Sequence, residues 1–485
     1  MQNDQPQDED QPKALMRTLG LTLASAFLWG VAHVWAGRRV TGALLAAAFA
    51  VMIAVLVVLA TGFRHDLLEL ALQPEWLTGI IFGSIALAGV WVGVVVRSYT
   101  LVRPRALAAG PRVAAVSMVA VLCLAICAPF ALAAHRTYVA RDLINSTFAD
   151  GDHNGKKIKK SDPWKDRPRL NVLLLGGDAG HNRVGVRTDS VTLASIDTHT
   201  GDTVMLGLPR NLERIQMPAG PAADRFPDGF TGEGPETPGL LNEIYEYAEE
   251  HPEITPGKPK GQRGPALLVP TVSQILGQPI DYYILVDMRG FAQLIDAMGG
   301  VYLKVPENIT FGKYNEGTLQ AGYRRLSGTQ ALWYGRSRTY SNDYVRMGRQ
   351  KCLLRAIARQ ADPQKLLLRF NKLADAAKNT ISTDLPRELL PALLKLSEKM
   401  KNGDAKINSL QFVPPLISTA HPDWALIRHR SAQAIADSGR TPVKTDPPAT
   451  ASTTTAKKNA SNPAGAESDE PDTTKAVSLD ATCPS

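Results

Sequence analysis

The stretch Leu170–Asp178 reads LNVLLLGGD, and the stretch Arg187–Ile196 that follows it reads RTDSVTLASI. Both contain short apolar runs rich in branched residues and bounded by Gly, Asp and Thr, a pattern typical of β-strands. Asp178 ends the first run and Asp189 precedes the second. Asp178 alone would suit a turn, and Asp189 could simply pair with Arg187. If the connecting loop doubles back, the two carboxylates meet at one sheet edge, where they suit a hard divalent cation.

The segments after this pair alternate between strand-like and helix-like patterns. Strands are predicted at Val204–Leu208, Tyr282–Val286 and Val301–Val305, and helices at about 240–250, 264–277 and 289–298. This alternation predicts a layered α/β domain whose functional groups lie in loops that leave the strand ends. Asp178 and Arg210 both occupy such positions.

A dense basic cluster lies further along the chain, formed by Arg336, Arg338, Arg346 and Arg349 and followed by Gln350. A solvated basic face is the usual explanation of such a run. Asp343 alone, however, cannot neutralise four arginines. Arginines that converge grip phosphate oxygens through paired N–H groups. The cluster therefore predicts an anion site, and together with the two aspartates it describes a site for a pyrophosphate.

Apolar runs before the α/β segment predict a membrane region. The runs at 41–62, 77–96 and 113–134 each approach the roughly 20 residues that cross a bilayer as a helix. The stretch 19–36 is interrupted by Gly30 and His33, and is predicted to be a fourth span or a re-entrant hairpin. Basic loops belong on the cytoplasmic side, which places everything after residue 135 outside. We therefore expect a multi-pass protein of the cell membrane with an extracytoplasmic soluble part.

Charge and cysteine content narrow the possible partners. A formal net charge of +8 fits nucleic acid, an anionic membrane surface or an anionic polymer. An extracytoplasmic location disfavours nucleic acid, so we expect membrane lipid and an anionic polymer instead. Cys123 and Cys127 lie in an apolar run and suit packing, whereas Cys352 and Cys483 could pair in an oxidising compartment.

These features predict five regions. They are a polar N-terminal tail at 1–18, a membrane region with three or four spans at 19–135, an extracytoplasmic connector at 136–168, a folded domain at 169–440 and a tail at 441–485. The tail has almost no large apolar residues, so it is predicted to be disordered.

Seven motifs follow one another along the folded domain: Leu170–Asp178, Arg187-Thr188-Asp189, Pro209-Arg210-Asn211, Leu241-Asn242, Asp281-Tyr282-Tyr283, Tyr334-x-Arg336-x-Arg338 and Asp343-Tyr344-x-Arg346-x-x-Arg349-Gln350. In this order they resemble the LytR-CpsA-Psr family over roughly residues 168–365. The resemblance implies an α-β-α catalytic domain with a central mixed sheet. It also implies a membrane-anchored phosphotransferase that moves a glycopolymer of teichoic acid, capsule or arabinogalactan type from a polyprenyl-pyrophosphate carrier to peptidoglycan.

The resemblance assigns roles residue by residue. It implies Mg²⁺ or Mn²⁺ on Asp178 and Asp189, and catalytic contacts to the pyrophosphate from Arg210, Arg336, Arg338 and Arg346. It implies substrate contacts from Arg187, Asn211, Arg349 and Gln350. Asn211 departs from the family, which commonly has an aspartate there, and several spans replace the usual single anchor.

Three further expectations concern mechanism. The lipid is predicted to lie in an apolar groove between the sheet and the helices at 264–277 and 289–298. Asp343 is a candidate base, although a salt bridge to Arg346 is the better interpretation. Two alternatives to a transferase stay open. One is a hydrolase of the same lipid pyrophosphate, and the other is a non-catalytic module that binds glycopolymer.

Overall fold

The computed structural model describes residues 10–62, 70, 73–104, 109–149, 163–164, 167–178, 186–234, 239–312, 314–360, 380–402, 405–438, 476–479 and 483. The chain divides into two compact units, Met1–Ser146 and Thr147–Ser485.

The first unit is helical. Its helices are α1 (Asp10–Phe27), α2 (Val31–Trp35), α3 (Arg39–Gly62), α4 (Pro74–Val102) and α5 (Ala109–Thr147). In the part of the chain that the structure describes, α3, α4 and α5 are long and apolar enough to cross a membrane. They contain the three predicted spans and associate the chain with a membrane.

The boundary predicted for the N-terminal tail needs correction. The N-terminal tail predicted at 1–18 is helical from Asp10 onward, because Leu15 and Leu19 give α1 an apolar side that packs against Val95 and Tyr99. The stretch 19–36 is an α1–α2 hairpin whose chain turns at Gly30, with φ of 96°. The apolar part of α1, Leu15–Phe27, is shorter than a span. At the other end α5 continues past residue 135, so the predicted connector begins as helix.

The second unit is built on a mixed sheet. Its strands are β1 (Arg169–Asp178), β2 (Arg187–Asp197), β3 (Thr203–Leu208), β4 (Tyr282–Asp287), β5 (Val301–Val305), β6 (Ile309–Phe311), β7 (Gly317–Leu319), β8 (Gly322–Leu326), β9 (Ile381–Thr383), β10 (Ile407–Gln411) and β11 (Val477–Ser478). Seven of them form one sheet in the order β11-β10-β3-β2-β1-β4-β9. The pairs β1–β4 and β3–β10 are parallel, and the other pairs are antiparallel. The predicted central mixed sheet is confirmed.

Helices cover both faces of this sheet. They are α6 (Pro221–Arg225), α7 (Ile244–Glu250), α8 (Arg263–Leu276), α9 (Met288–Met298), α10 (Gly328–Arg336), α11 (Asp343–Gln360), α12 (Leu390–Asn402) and α13 (Trp424–Ser438), with short 3₁₀ turns at Leu241–Glu243, Pro252–Ile254 and Arg387–Leu389. Every helix predicted from the sequence at about 240–250, 264–277 and 289–298 is present within a few residues.

Strand alternation decides which helices lie on which face. Leu173 and Leu175 of β1 point into a core shared with α7, α8 and α13. Leu170 and Val172 point the opposite way, into a core shared with α12. A third core joins α9, α10 and α11 to the two-stranded ribbon of β5 and β8. The arrangement is the predicted α-β-α layering.

The predicted disordered tail at 441–485 is wrong at its far end. Val477 and Ser478 add an antiparallel edge strand to β10, and Leu479 is fully buried. Cys483 is disulfide-bonded to Cys352 of α11. The average composition of the tail concealed one short apolar segment that has a sheet edge to pair with. Residues 439–475 lie outside the described part of the chain.

We expect replacement of Cys352 and Cys483 by serine to lower the free energy of unfolding by about 2–5 kcal/mol, because the bond restricts the unfolded chain. Denaturant unfolding of the full chain in detergent measures this, and limited proteolysis should show faster cleavage near residue 477. Cys127→Ser, which removes a free cysteine, is the matched control. Equal stability of the double variant and the wild type would contradict the expectation.

Candidate functional site

A β-bulge brings the two aspartates together. Along the β1–β2 ladder, Ser190 lies opposite Gly176 but Thr188 lies opposite Gly177, so Asp189 is the extra residue. A bulge re-aims a side chain that regular alternation would send to the other face. Asp178 and Asp189 consequently line the same cavity, as the sequence predicts for a doubled-back loop.

The cavity has a volume of about 600 Å³ and lies between the sheet and helices α9, α10 and α11. Two chemically different sets of side chains line it. The apolar set includes Leu174, Ile284, Val286, Phe291, Leu332 and Leu353. The charged and polar set is Asp178, Asp189, Arg210, Arg336, Arg338, Arg346 and Gln350. The cavity is therefore amphiphilic.

Asp178 is paired with an arginine at the end of α10. Arg336 Nη2 donates to Asp178 Oδ2 at 2.9 Å. The guanidinium also lies 5.6 Å from the ring centroid of Trp333, within the range of a cation–π contact. Trp333 in turn stacks on Phe311, with the ring centroids 5.4 Å apart. Arg336 is thus held from two directions while its side chain stays 41% exposed.

Asp189 is paired with the arginine that follows β3. Arg210 Nη1 donates to Asp189 Oδ1 at 2.6 Å, and Asn242 donates to the same oxygen at 3.4 Å. The backbone carbonyl of Asp189 accepts from Arg346 at 2.9 Å. The bulge residue is therefore fixed through its side chain and its main chain.

Asp343 joins three of the arginines. Arg346 donates to both of its carboxylate oxygens, at 3.1 and 3.0 Å. Arg210 Nε lies 3.3 Å from the same carboxylate, and Arg338 Nη1 lies 4.0 Å from it. The predicted Asp343–Arg346 salt bridge is present. Arg338 is the most loosely held of these arginines and has a side chain that is 54% exposed.

The environment shifts the pKa of Asp189 and of Arg210. Burial alone would raise the pKa of Asp189, but hydrogen bonds from Arg210 and Asn242 and the charges of Arg210 and Arg346 outweigh it, so the pKa is lowered. Burial would lower the pKa of Arg210, but Asp189 and Asp343 outweigh it and the pKa is raised. Both groups are held in their charged forms.

Three residues that the resemblance places at the substrate do not line the cavity. Arg187 Nε donates to Glu246 of α7 at 2.8 Å. Arg187 also faces Glu243, which lies in the 3₁₀ turn directly before α7. Arg349 is buried and donates to the carbonyl of Ser337 and to Glu307, at 3.2 and 3.1 Å. Its role is to support the loop that follows Arg336.

Asn211 is the third of these residues, and its Nδ2 faces Thr419 Oγ1 at 3.4 Å. The side chain at this position does not line the cavity, so a neutral residue here leaves the charge of the cavity unchanged. Gln350 does line the cavity as predicted, and it donates to the carbonyl of Gly335 at 3.0 Å.

The prediction that the lipid groove lies beside the helix at 264–277 is wrong. That helix, α8, packs through Leu267, Leu268 and Val272 into the core on the Leu173 side of the sheet. The cavity lies on the Leu174 side, where α9 is joined by α10 and α11. Sequence reasoning also missed Trp333, which lies three residues before Arg336 on the observed helix α10, because no helix was predicted there from the sequence.

The donor set of the cavity fits a magnesium ion in part. Asp178 and Asp189 each use one carboxylate oxygen on an arginine, and within the described residues their second oxygens have no hydrogen-bond partner. No group of three or more His, Cys, Asp or Glu side chains placed to hold a metal occurs in the described ranges. Mg²⁺ is commonly held by one or two carboxylates together with substrate phosphates and water. Two carboxylate oxygens without a hydrogen-bond partner among the described residues, beside the arginines of the cavity, agree with that mode of binding.

The chain resembles proteins of known family. A model described as the LytR_cpsA_psr family matches residues 137–420, a range that contains the whole cavity. A polyisoprenyl-teichoic acid–peptidoglycan teichoic acid transferase TagU from Oceanobacillus iheyensis is 28% identical over 255 residues, which is 52% of this chain and 70% of the relative. A TagU from Halalkalibacterium halodurans is 23% identical over 54% of this chain and 74% of the relative. The crystal structure of B. subtilis TagV aligns with 23% identity and a TM-score of 0.40, covering 56% of this chain and 98% of TagV.

The lowered pKa of Asp189 predicts a pH-dependent contribution to stability. A carboxyl with a lowered folded-state pKa stabilises the protein above its unfolded pKa, and this stability is lost as the pH falls through the folded pKa. We expect Asp189→Asn, measured in EDTA, to lower the free energy of unfolding by about 1–3 kcal/mol at neutral pH. The difference from wild type should shrink below about pH 4. Exposed Asp228→Asn is the control, and a difference that grows on acidification would contradict the assignment.

Proposed function

Because the chain belongs to the LytR_cpsA_psr family, we propose that it is a phosphotransferase that moves a glycopolymer from a polyprenyl-pyrophosphate carrier to peptidoglycan. The observation that carries the proposal is the amphiphilic cavity, in which four arginines and two aspartates stand beside an apolar lining. A pyrophosphate joined to a long hydrocarbon has the same two parts. The curated TagU relatives, named as teichoic acid transferases to peptidoglycan, support this assignment.

The arginines supply charge for the transfer. Arg210, Arg336 and Arg346 are each already paired with a carboxylate, which keeps the site preorganised before substrate arrives. Arg338 is exposed and loosely paired, so its N–H groups are available to phosphate oxygens. Phosphoryl transfer depends mainly on positioning and charge neutralisation, which this set provides.

The chemical step is a substitution at phosphorus. A hydroxyl of peptidoglycan attacks the phosphorus that bears the glycan, and the bond from that phosphorus to the bridging oxygen of the pyrophosphate breaks. Polyprenyl phosphate leaves with the bridging oxygen, and the hydroxyl proton is released to solvent water. Asp343 is bound to Arg346 through both oxygens, so its part is to hold the arginines and not to take this proton.

We propose Mg²⁺ or Mn²⁺ as cofactor, held by the free oxygens of Asp178 and Asp189. The ion would neutralise pyrophosphate charge in addition to the arginines. Two carboxylates facing a phosphate would otherwise repel it, and this repulsion is the physical argument for a cation.

The apolar lining has room for the start of the lipid. Leu174, Ile284 and Val286 of the sheet face Phe291 and Leu353 of the helices across the cavity. We propose that the first isoprenoid units lie there. The basic loops of the membrane region favour a multi-pass topology with this domain on the extracytoplasmic side, where peptidoglycan is found.

The direct test incubates the full chain in detergent with a polyprenyl-pyrophosphate glycan and peptidoglycan, with and without Mg²⁺. Glycan covalently attached to peptidoglycan together with released polyprenyl phosphate is the expected result. Free glycan phosphate without attachment would identify a hydrolase instead, and binding without release of polyprenyl phosphate would identify a binding module.

We expect Arg336→Ala and Arg338→Ala each to reduce turnover by about 10³-fold or more, since a single arginine contributes that much in other phosphoryl-transfer enzymes. Lysine at either position should recover only part of the rate, because it lacks the planar fork. The measurement is the rate of polyprenyl phosphate release. Arg428→Ala, which removes an exposed arginine of α13, is the control; full activity of Arg338→Ala would contradict the proposed role.

We expect Val286→Trp to fill part of the apolar lining and so raise KM for a long-chain donor by about tenfold, the order expected for losing one or two buried methylene contacts. A donor with a short, water-soluble isoprenoid should be much less affected, because it does not reach the filled volume. Kinetics with both donors measure the difference, and thermal unfolding checks that the variant is folded. Equal losses for the two donors would place the lipid elsewhere.

A further inference from the structure

The two-stranded ribbon of β5 and β8 carries aromatic and basic side chains that the proposed reaction does not use. In its antiparallel ladder Tyr302 lies opposite Arg325, and Lys304 lies opposite Tyr323. Directly opposed residues share a face, and every second residue of a strand points the same way. These four side chains therefore form one surface, which we call the ribbon face.

The aromatic rings of the ribbon face are exposed. Tyr302 is 46% exposed and Tyr323 is 65% exposed, whereas the alternate residues of β5 are buried in the core below. The two ring planes lie within 22° of parallel, with centroids 6.2 Å apart. Because both residues are exposed to this degree, each keeps apolar ring area in contact with water. Such a pair offers area for a ligand at low cost in side-chain entropy.

The charge of the ribbon face is uncompensated. Lys304 and Arg325 are exposed, and neither of them forms an ion pair with a carboxylate in the described part of the chain. Arg325 donates to the carbonyl of Gly299, and this contact leaves its positive charge in place. The surface therefore complements an anionic ligand.

An open depression adjoins the same surface. It has a volume of about 490 Å³ and is lined by Tyr323 and Arg325 together with Gln320 and Gln330. Aromatic rings, amides and cations are the groups that recognise an anionic sugar chain. A pyranose ring has an apolar C–H side that stacks on an aromatic ring, hydroxyl groups that bond to amides, and in acidic polymers carboxylates that attract cations.

We propose that the ribbon face binds the glycan strand of the acceptor, peptidoglycan, and holds it beside the site of transfer. This inference rests on the proposed transferase function. The donor already has its own contacts, since its pyrophosphate and lipid match the arginines and apolar lining of the cavity. The acceptor is a continuous chain of sugar rings with carboxylates on its peptides. The ribbon face is an open surface and not an enclosed pocket, so it suits a polymer better than a small molecule.

The ribbon is rigidly connected to the arginine cluster. Ser327 follows β8 and caps α10, exchanging hydrogen bonds with Gln330 at 3.0 and 3.4 Å. Gly328 donates to Asp296 of α9 at 2.7 Å, and a Cβ at this glycine would collide with the backbone of Ala292. Arg336 lies at the far end of α10. At a helical rise of 1.5 Å per residue it is about 13 Å from Ser327. A glycan held on the ribbon face is thus kept at a fixed distance from Arg336.

The test measures binding of the full chain in detergent to sacculi stripped of attached polymers. We expect Tyr302→Ala combined with Tyr323→Ala to weaken binding by about tenfold, as for residues that dominate an interface. Lys304→Glu, which keeps both rings, should also weaken it, and more so at low salt. Tyr314→Ala removes a tyrosine that is 78% exposed outside the ribbon face and is the matched control. Unchanged binding in both ribbon variants would overturn the proposal, as would weaker binding of isolated anionic glycopolymer with sacculus binding intact.

A second readout separates this proposal from the proposed function. With sacculi as acceptor, the tyrosine double variant should transfer about tenfold more slowly below saturation. Release of polyprenyl phosphate with a soluble disaccharide acceptor should stay at the wild-type rate. If the wild-type protein transferred no glycan, the proposed transferase function would be refuted. The comparison of sacculus binding between wild type and the ribbon variants would still test the ribbon face. Equal slowing with both acceptors would refute the ribbon face.

Discussion

The contact on which the site depends is that of Arg346 with the bulge of β2 and with Asp343. Arg346 is only 4% exposed, and a buried guanidinium without partners would be very costly. Asp343 binds it through both oxygens, and the carbonyl of Asp189 takes another of its N–H groups. The start of α11 is therefore tied to the strand that carries Asp189. Loosening this contact would separate the carboxylate from the arginines that face it.

Around that contact the cavity is arranged as exchangeable ion pairs. Arg336 on Asp178 and Arg210 on Asp189 hold the charged groups in place. A phosphate can take over donor groups from these carboxylates without leaving an arginine unpaired, because the guanidinium group has more N–H groups than one carboxylate uses. The arrangement explains how four cations can remain close together in a folded protein and still be ready for an anion.

The sequence predicts the frame of this site better than its details. Apolar runs mark β1, β2 and β3 in the sequence. They also predict that Asp178 lies at the end of β1 and Asp189 near the start of β2. No residue type marks the bulge at Asp189, which depends on how two strands pair and cannot be read from either alone. The helical pattern of α8 is strong, yet it carries no information about which face of the sheet the helix covers. Arg187 and Arg349 show a related limit, since an arginine beside a site in sequence can reach another acid or carbonyl in space.

The bond between Cys352 and Cys483 closes a ring of chain that contains α12, β10 and α13. A protease that cuts once within this ring leaves two pieces still covalently joined, so the pieces cannot diffuse apart. The edge strand at Val477 and the arginines of α11 would remain in one molecule after such a cut. A domain built in this way tolerates a nick that would dismantle a linear chain.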